Sequence, residues 1–243
     1  VLADSYDGFV IDLDGVVHLG WEPLPGAVEA LRRLASLGKG VVFLTNEPRF
    51  TRAAVADRLR AFGVDLAGDA VITSAWAGAL AASDGGASVY VIGSDDLRAE
   101  VVAAGGKVVG PEAADRVLVA GHTGFSYDEL RSAMRACGRG AELVATNRDA
   151  TFPMPDGPWP ATGAILAAVE TATGRTAVSV GKPDPAIFRV AAESLGVARI
   201  AVIGDRVDTD IVGGRAAGLA TILVGGRDPL ADHCVPDLAS VVA

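Results

Sequence analysis

The chain has 243 residues, half of them apolar and 21% charged, with a net charge of −9. That length buries a sizeable core in one large domain or two modest ones, and the composition excludes a disordered chain. The acidic balance excludes a general nucleic-acid binder, which needs a basic footprint, and no apolar run approaches the ~20 residues of a membrane-spanning helix.

Val1 to Asp7 show neither the basic start nor the apolar stretch of a signal peptide, so a cytoplasmic protein with no membrane partner is expected. Phe9-Val10-Ile11 read as a first strand that ends in Asp12-Leu13-Asp14-Gly15. Residues 26–37 put Val28, Leu31, Leu34 and Ala35 on one helical face, with Gly38 as a C-terminal stop. Val41-Val42-Phe43-Leu44 form a second strand running into Thr45-Asn46, and a helix follows from about Thr51 with Val55, Leu59 and Phe62 inward. The middle of the chain repeats this grammar. Val89–Ile92 precede a helix near 95–104, and Val117–Ala120 precede one opened by the Ser126-x-x-Glu129 capping box. The stretch from Asn147 to Thr162 holds four prolines and two aromatics, too many breakers for a helix or strand interior. Val178-Ser179-Val180 lead into Gly181-Lys182-Pro183-Asp184-Pro185. Ile200–Ile203 end in Gly204-Asp205, followed by Asp208 and Asp210, and Thr221–Val224 are a last strand. Cys137 and Cys234 are far apart and show no metal or redox spacing.

Short strands separated by amphipathic helices predict an α/β protein with a doubly wound, Rossmann-like parallel sheet. Residues 1–75 and 179–243 are read as its core, and 76–178 as a second α/β domain inserted into it. In such sheets ligands bind beyond the carboxyl ends of the strands. Those ends deliver Asp12 and Asp14, Thr45 and Asn46, Lys182, and Asp205 with Asp210. A carboxylate is a competent nucleophile toward phosphorus. Clustered carboxylates repel one another unless a hard cation such as Mg²⁺ sits among them. Lys182, Thr45 and loop amides supply donors for phosphate charge, and Gly15 lets the backbone come close. Lys182 stands out because only three lysines occur among 21 basic residues; Lys39 and Lys107 read as solvent-exposed cations.

Asp12-Leu13-Asp14-Gly15-Val16, Leu44-Thr45-Asn46, Gly181–Pro185 and Gly204–Asp210 resemble, in order and spacing, the four motifs of the haloacid dehalogenase superfamily. The resemblance implies Asp12 as nucleophile and Asp14 as general acid and base. It implies Gly15, Thr45, Asn46 and Lys182 around the phosphoryl group. Mg²⁺ would be held by Asp12, the Asp14 carbonyl and Asp205, with Asp210 behind or beside them. An acid at position 14 points within that superfamily to a phosphatase or phosphomutase. The insert lies between the second and third motifs, as in a type-two cap. Ala145–Asp149, Thr151-Phe152-Pro153, Gly157 and Thr162-Gly163-Ala164 are similar to the cap segment of the NagD-like, or p-nitrophenylphosphatase-like, branch. Its members hydrolyse glycerol 3-phosphate, 2-phosphoglycolate, pyridoxal phosphate or nucleotides, and many dimerise through the cap. The Ala- and Arg-rich composition resembles actinobacterial members, which favours glycerol 3-phosphate. The implied partner is a small-molecule phosphate ester, with a homodimer through the cap implied by resemblance alone.

Two positions depart from the pattern. Glu47 adds negative charge beside the phosphate motif, which weakens binding unless it faces away or meets Arg49 or a substrate hydroxyl. Gly121-His122-Thr123 lacks the acid that relatives carry there. His122, Asn147 and Arg148 are the cap candidates for substrate contact, each also readable as loop structure. Asp208 is read as a helix cap. Gly93-Ser94 hints at phosphate binding without the glycine-rich pattern that would support it. Trp76, Trp159 and Tyr90 are read as packing residues. A phosphotransferase or mutase, and a catalytically idle regulatory or binding module, stay open as alternatives.

Overall fold

The computed structural model describes residues 1–66, 70–154 and 156–243. Its first sheet has six parallel strands, in the order His233–Val235, Ala220–Val224, Ile200–Gly204, Gly8–Ile11, Gly40–Thr45, Val71–Thr73. Successive side chains alternate faces, as strand geometry demands. Phe9, Ile11, Phe43 and Ile203 pack to one side, against helices Ala27–Ser36 and Arg52–Ala61. Val10, Val42, Leu44 and Val202 pack to the other, against helix Pro185–Leu195. A sheet buried on both faces needs near-continuous apolar strands, and all five residues of Ile200–Gly204 are buried. In the first helix Ala27, Val28, Ala30, Leu31 and Leu34 are buried, whereas Ala35, expected inward, is exposed.

The second sheet has five parallel strands, in the order Val178–Ser179, Glu142–Ala145, Arg116–Val119, Ser88–Ile92, Lys107–Val108. Helices Tyr127–Gly138 and Thr162–Thr173 cover one face, Ser74–Ser83 and Asp95–Ala103 the other. Two differences from the sequence reading stand out. Ser179, expected to open the returning core segment, instead pairs with Ala145 in the second sheet. Lys182 therefore enters the first sheet's rim on the connection that follows this edge strand. The proline-rich stretch also holds an antiparallel ribbon, Thr151–Phe152 with Trp159–Pro160. Proline is tolerated there because the ribbon has only two strands, both at an edge. Lys39 is not a free surface cation: it is half-buried, and its Nζ donates to the Tyr6 carbonyl at 2.6 Å. Among the described residues no helix is long and apolar enough to cross a membrane. Cys137 and Cys234 are unpaired.

The carboxyl ends of the two sheets face the same cavity. Asp12, Thr45 and Asp205 follow first-sheet strands, Gly121 and Asn147 follow second-sheet strands, and all five line it.

Candidate active site

Ile11 sits in register between Ile203 and Phe43, so Asp12 leaves the sheet beside the last residues of its neighbour strand. The Asp12 N–H still donates to the Ile203 carbonyl, at 2.8 Å. Lys182 Nζ donates to Asp12 Oδ1 at 2.6 Å and to Asp210 Oδ1 at 2.7 Å, and all three side chains are buried. This close approach needs glycine at 204, where a Cβ would lie 2.2 Å from Asp210. Gly15 has φ +83°, and a Cβ there would lie 2.2 Å from the Asp205 carboxylate. Gly15 thus makes room for Asp205, which is a different service from the expected approach to phosphate.

Burial raises the Asp12 pKa well above the ordinary carboxylate value; Lys182 opposes the shift, while Asp210 and Asp205 add to it. Burial and then Asp210 push Asp205 up to about 6. Burial works against the Lys182 ammonium, but Asp12 and Asp210 outweigh it and hold the charge firmly. Three clustered carboxyl groups thus share a single lysine. Asp12, Asp205 and Asp210 each bring an oxygen within 4.8 Å of the others. Asp205 Oδ1 is buried without a hydrogen-bond partner. An all-oxygen, carboxylate-rich donor set with an orphaned acceptor fits a hard divalent cation. Asp210 belongs to this cluster as fully as Asp205 does. Asp208 lies outside it, exposed in the first turn of the helical segment Val207–Ile211, as read, and paired with Arg206 at 2.7 Å.

Asp14 stands on a tight turn in which the Val17 and His18 N–H groups both donate to the Leu13 carbonyl. Its side chain keeps 36% of its surface. The residue lines the cavity under the second domain, and burial there, then the charge of Glu47, pushes it up to about 6. His18 Nδ1 lies 3.6 Å away, but burial and then Arg58 push its pKa down to about 4, so it is neutral near pH 7. A carboxyl titrating near 6 is suited to giving and taking a proton.

Thr45 is buried at the cavity floor, and its oxygen accepts the Glu47 N–H at 3.0 Å, leaving the hydroxyl proton free. Asn46 is used differently from expectation. Its Nδ2 donates to Asp149 Oδ2 at 2.9 Å and to the Lys182 carbonyl at 3.0 Å, while its Oδ1 accepts the Lys182 N–H at 2.9 Å. Both amide protons are taken, so the side chain holds the lysine loop and has no donor left for a phosphoryl oxygen.

The cap candidates divide. Asn147 lines the cavity, and its Nδ2 donates to the Asn46 carbonyl at 2.8 Å, tying the two domains together. His122 lines it too, with Nε2 3.2 Å from Glu129 Oε1. Arg148 does not reach the cavity. Its guanidinium forks onto Glu170 at 2.7 and 3.2 Å and donates to the Ala177 carbonyl at 2.9 Å. Alternation along the segment turns it to the side opposite its neighbours.

Several lining residues escaped the sequence reading. Asp149 meets Asn46 and lies 3.4 Å from Arg206 across the domain boundary. Its place in the Ala145–Asp149 segment was the available signal. Trp159, read as packing, lines the cavity with Phe152, and their rings meet edge-on at 6.2 Å. Arg49, anticipated as a partner of Glu47, donates its Nε to Glu47 Oε1 at 2.7 Å, and its guanidinium lies 4.2 Å over the Phe152 ring. On the outer side Arg58 stacks between Trp21 and Phe50, at 4.1 and 4.8 Å. The cavity is about 380 Å³, with carboxylates and Lys182 at its floor and aromatic side chains in its cap wall.

The haloacid dehalogenase-like hydrolase model matches residues 9–107, and a related HAD-hydrolase-like model matches residues 179–238. Chronophin from Homo sapiens is 39% identical over 237 residues, covering 89% of this chain and 80% of that protein. The p-nitrophenyl phosphatase from Archaeoglobus fulgidus superposes with a TM-score of 0.90 at 33% identity, covering 98% of both chains. Glycerol phosphate phosphatase from Mycobacterium tuberculosis, solved in complex with magnesium, gives 0.90 at 33% identity over 99% of this chain and 77% of that one. Motif order, sheet order and relatives converge, and the chain belongs to the haloacid dehalogenase-like hydrolases, as one of their phosphatases.

Proposed function

We propose that the chain hydrolyses small phosphate monoesters with Mg²⁺, through an aspartyl-phosphate on Asp12, and that glycerol 3-phosphate is the preferred ester. Residues 1–75 and 180–243 act as the catalytic core and 76–179 as the cap, the boundary moved past Ser179 because that residue pairs in the second sheet. The observation that carries this reading is the contact of Lys182 with both Asp12 and Asp210, beside the unpartnered Asp205 oxygen, on a cavity that also holds Asp14.

An Asp12 carboxylate oxygen attacks phosphorus, and the bond from phosphorus to the ester oxygen breaks. Asp14 gives its proton to the departing alkoxide, and the alcohol leaves. Asp14, now a carboxylate, takes a proton from water. The water oxygen attacks phosphorus, releasing inorganic phosphate and restoring Asp12. Lys182 orients Asp12 through Oδ1 and balances phosphoryl charge. Thr45 gives its free hydroxyl proton to a phosphoryl oxygen, and Asn46 acts by positioning Lys182. Asp12, the Asp14 carbonyl, Asp205 and Asp210 are the residues that would hold Mg²⁺, which when bound offsets the charge of carboxylates and phosphate. The cap excludes bulk water from the strand ends.

The choice of glycerol 3-phosphate is supported by the relative of that activity and by polar groups, Thr123, Thr209 and His122, set among the lining residues. The test is phosphate release from glycerol 3-phosphate, 2-phosphoglycolate, pyridoxal phosphate, sugar phosphates and nucleotides, with Mg²⁺ and with chelator. Glycerol 3-phosphate should lead, chelator should abolish release, and Asp12→Asn should lower it by about 10⁴-fold or more. Activity surviving Asp12→Asn sinks the mechanism. Release that requires an added sugar hydroxyl turns the reading to a phosphotransferase, and none at all to an idle module.

A further inference from the structure

We propose that the Glu47–Arg49 pair is a specificity device that makes the cavity select leaving groups without a second negative charge. The inference rests on the phosphatase reading above and deepens it to a substrate class. Glu47 and Arg49 lie in the loop directly after Thr45 and line the same cavity as Asp14. Their contact is closed on several sides. Glu47 Oε1 accepts the Arg49 backbone N–H at 2.8 Å and Nε at 2.7 Å, and Oε2 accepts from Nη2. Phe152 of the cap covers the guanidinium at 4.2 Å, and Phe50 flanks it at 5.5 Å. The Glu47 side chain keeps only 9% of its surface.

The other standing cations of the cavity are also taken. Lys182 holds Asp12 and Asp210, and Arg206 holds Asp208 with Asp149 nearby; His122 Nε2 lies 3.2 Å from the Glu129 carboxylate without a hydrogen bond to it. Lys182 is needed at the phosphoryl end. A leaving group bearing a carboxylate or second phosphate therefore meets no open cation among the described lining residues. To recruit Arg49 it has to break a bidentate pair and then sit beside the released Glu47. Rejection by like charge and by an occupied partner is a recognised route to specificity. A neutral polyol meets no such penalty. Without Glu47, the same Arg49 becomes an open, aromatic-backed fork for a carboxylate.

The experiment uses the whole chain with Mg²⁺ and follows hydrolysis of p-nitrophenyl phosphate. Glycerol 3-phosphate and 3-phosphoglycerate, which differ by a hydroxymethyl group against a carboxylate, compete in parallel titrations. In the wild type glycerol 3-phosphate should compete at least about tenfold more tightly, and in Glu47→Gln the ratio should collapse to about threefold or less. Glu47→Asp, which keeps the charge, should hold the wild-type ratio. The ratio is internal to each protein, so a loss of folded material cancels. Equal competition in the wild type, the same ratio in Glu47→Gln, or no competition by either ester overturns the proposal. A different ester leading the phosphate-release panel would displace glycerol 3-phosphate as substrate without changing this ratio, so the two failures are separable.

Discussion

Both large sheets obey one architectural rule, parallel strands buried under helices on two faces, yet their strand ends carry opposite chemistry. The first sheet ends in Asp12, Thr45 and Asp205, with Asp210 and Lys182 drawn in behind. The second ends in small or neutral groups: Gly93-Ser94, Gly121 and Thr146-Asn147. Ser94 Oγ accepts the Leu97 N–H and donates to the Arg49 carbonyl, so the hint of phosphate binding there resolves into a helix cap that also joins the domains. Charge concentrated on one side demands fixed counter-charges and close packing, as at Gly15 and Gly204. The neutral side is free to hold the boundary together with hydrogen bonds and to line it with rings.

That contrast can be broken most forcefully at Lys182. Replacing it by methionine leaves Asp12 and Asp210 buried without their cation. Loss of one partner of a buried ion pair costs about 3–5 kcal/mol, so urea unfolding should show a destabilisation of that order and turnover should vanish. A Lys182→Met protein as stable as wild type would mean the carboxylates are already neutral.

Next in size is Asp14→Asn. The side chain lines the cavity and has no described hydrogen bond to the fold, so circular dichroism should be unchanged while kcat falls by about 10²–10⁴-fold. A smaller loss with a good leaving group such as p-nitrophenolate, which needs little protonation, would sharpen its assignment as the acid.

The smallest effect belongs to the cap. Arg148→Ala should leave kcat/KM unaltered and cost about 0.5–1 kcal/mol in denaturant unfolding, a figure reduced because 43% of the side chain meets solvent. The Arg148 hydrogen bonds hold the Glu170 carboxyl below its ordinary value of 4.5. The pair's contribution is therefore whole above that value and is lost as pH falls through the lower folded value. Arg148→Ala should destabilise at neutral pH and converge with wild type in acid. A large rise in KM instead would restore Arg148 to the substrate.

These outcomes bear on what could be read before any coordinates. The core motifs were legible because each is a short run whose strand-to-loop geometry is local, and the parallel sheet alone gathers them. Glu47 was legible to the extent of naming Arg49 as its partner, since two residues in one loop meet readily. The cap was not. Whether Arg148 or Asp149 faces the cavity depends on the direction in which the segment leaves the second sheet, which neighbouring strands and the helix bearing Glu170 decide. The Asn46 side chain is engaged elsewhere for a similar reason. Its type suits phosphate, but its hydrogen bonds go to a loop 136 residues away. Trp159 looked like core because aromatic residues usually are.

Aromatic rings and guanidinium groups pair at several places, and the chain's three tryptophans divide between two settings. Trp21 carries Arg58 and Trp76 carries Arg52, at 4.1 and 3.4 Å, while Trp159 carries no guanidinium among the described residues and lines the cavity. The molecule thus contains its own optical reporter. Two indoles lie outside the cavity lining, each under a guanidinium, and the third lines the space an ester would enter. Binding should therefore change the emission of Trp159 above a steady background from Trp21 and Trp76, so occupancy can be followed in real time without a label.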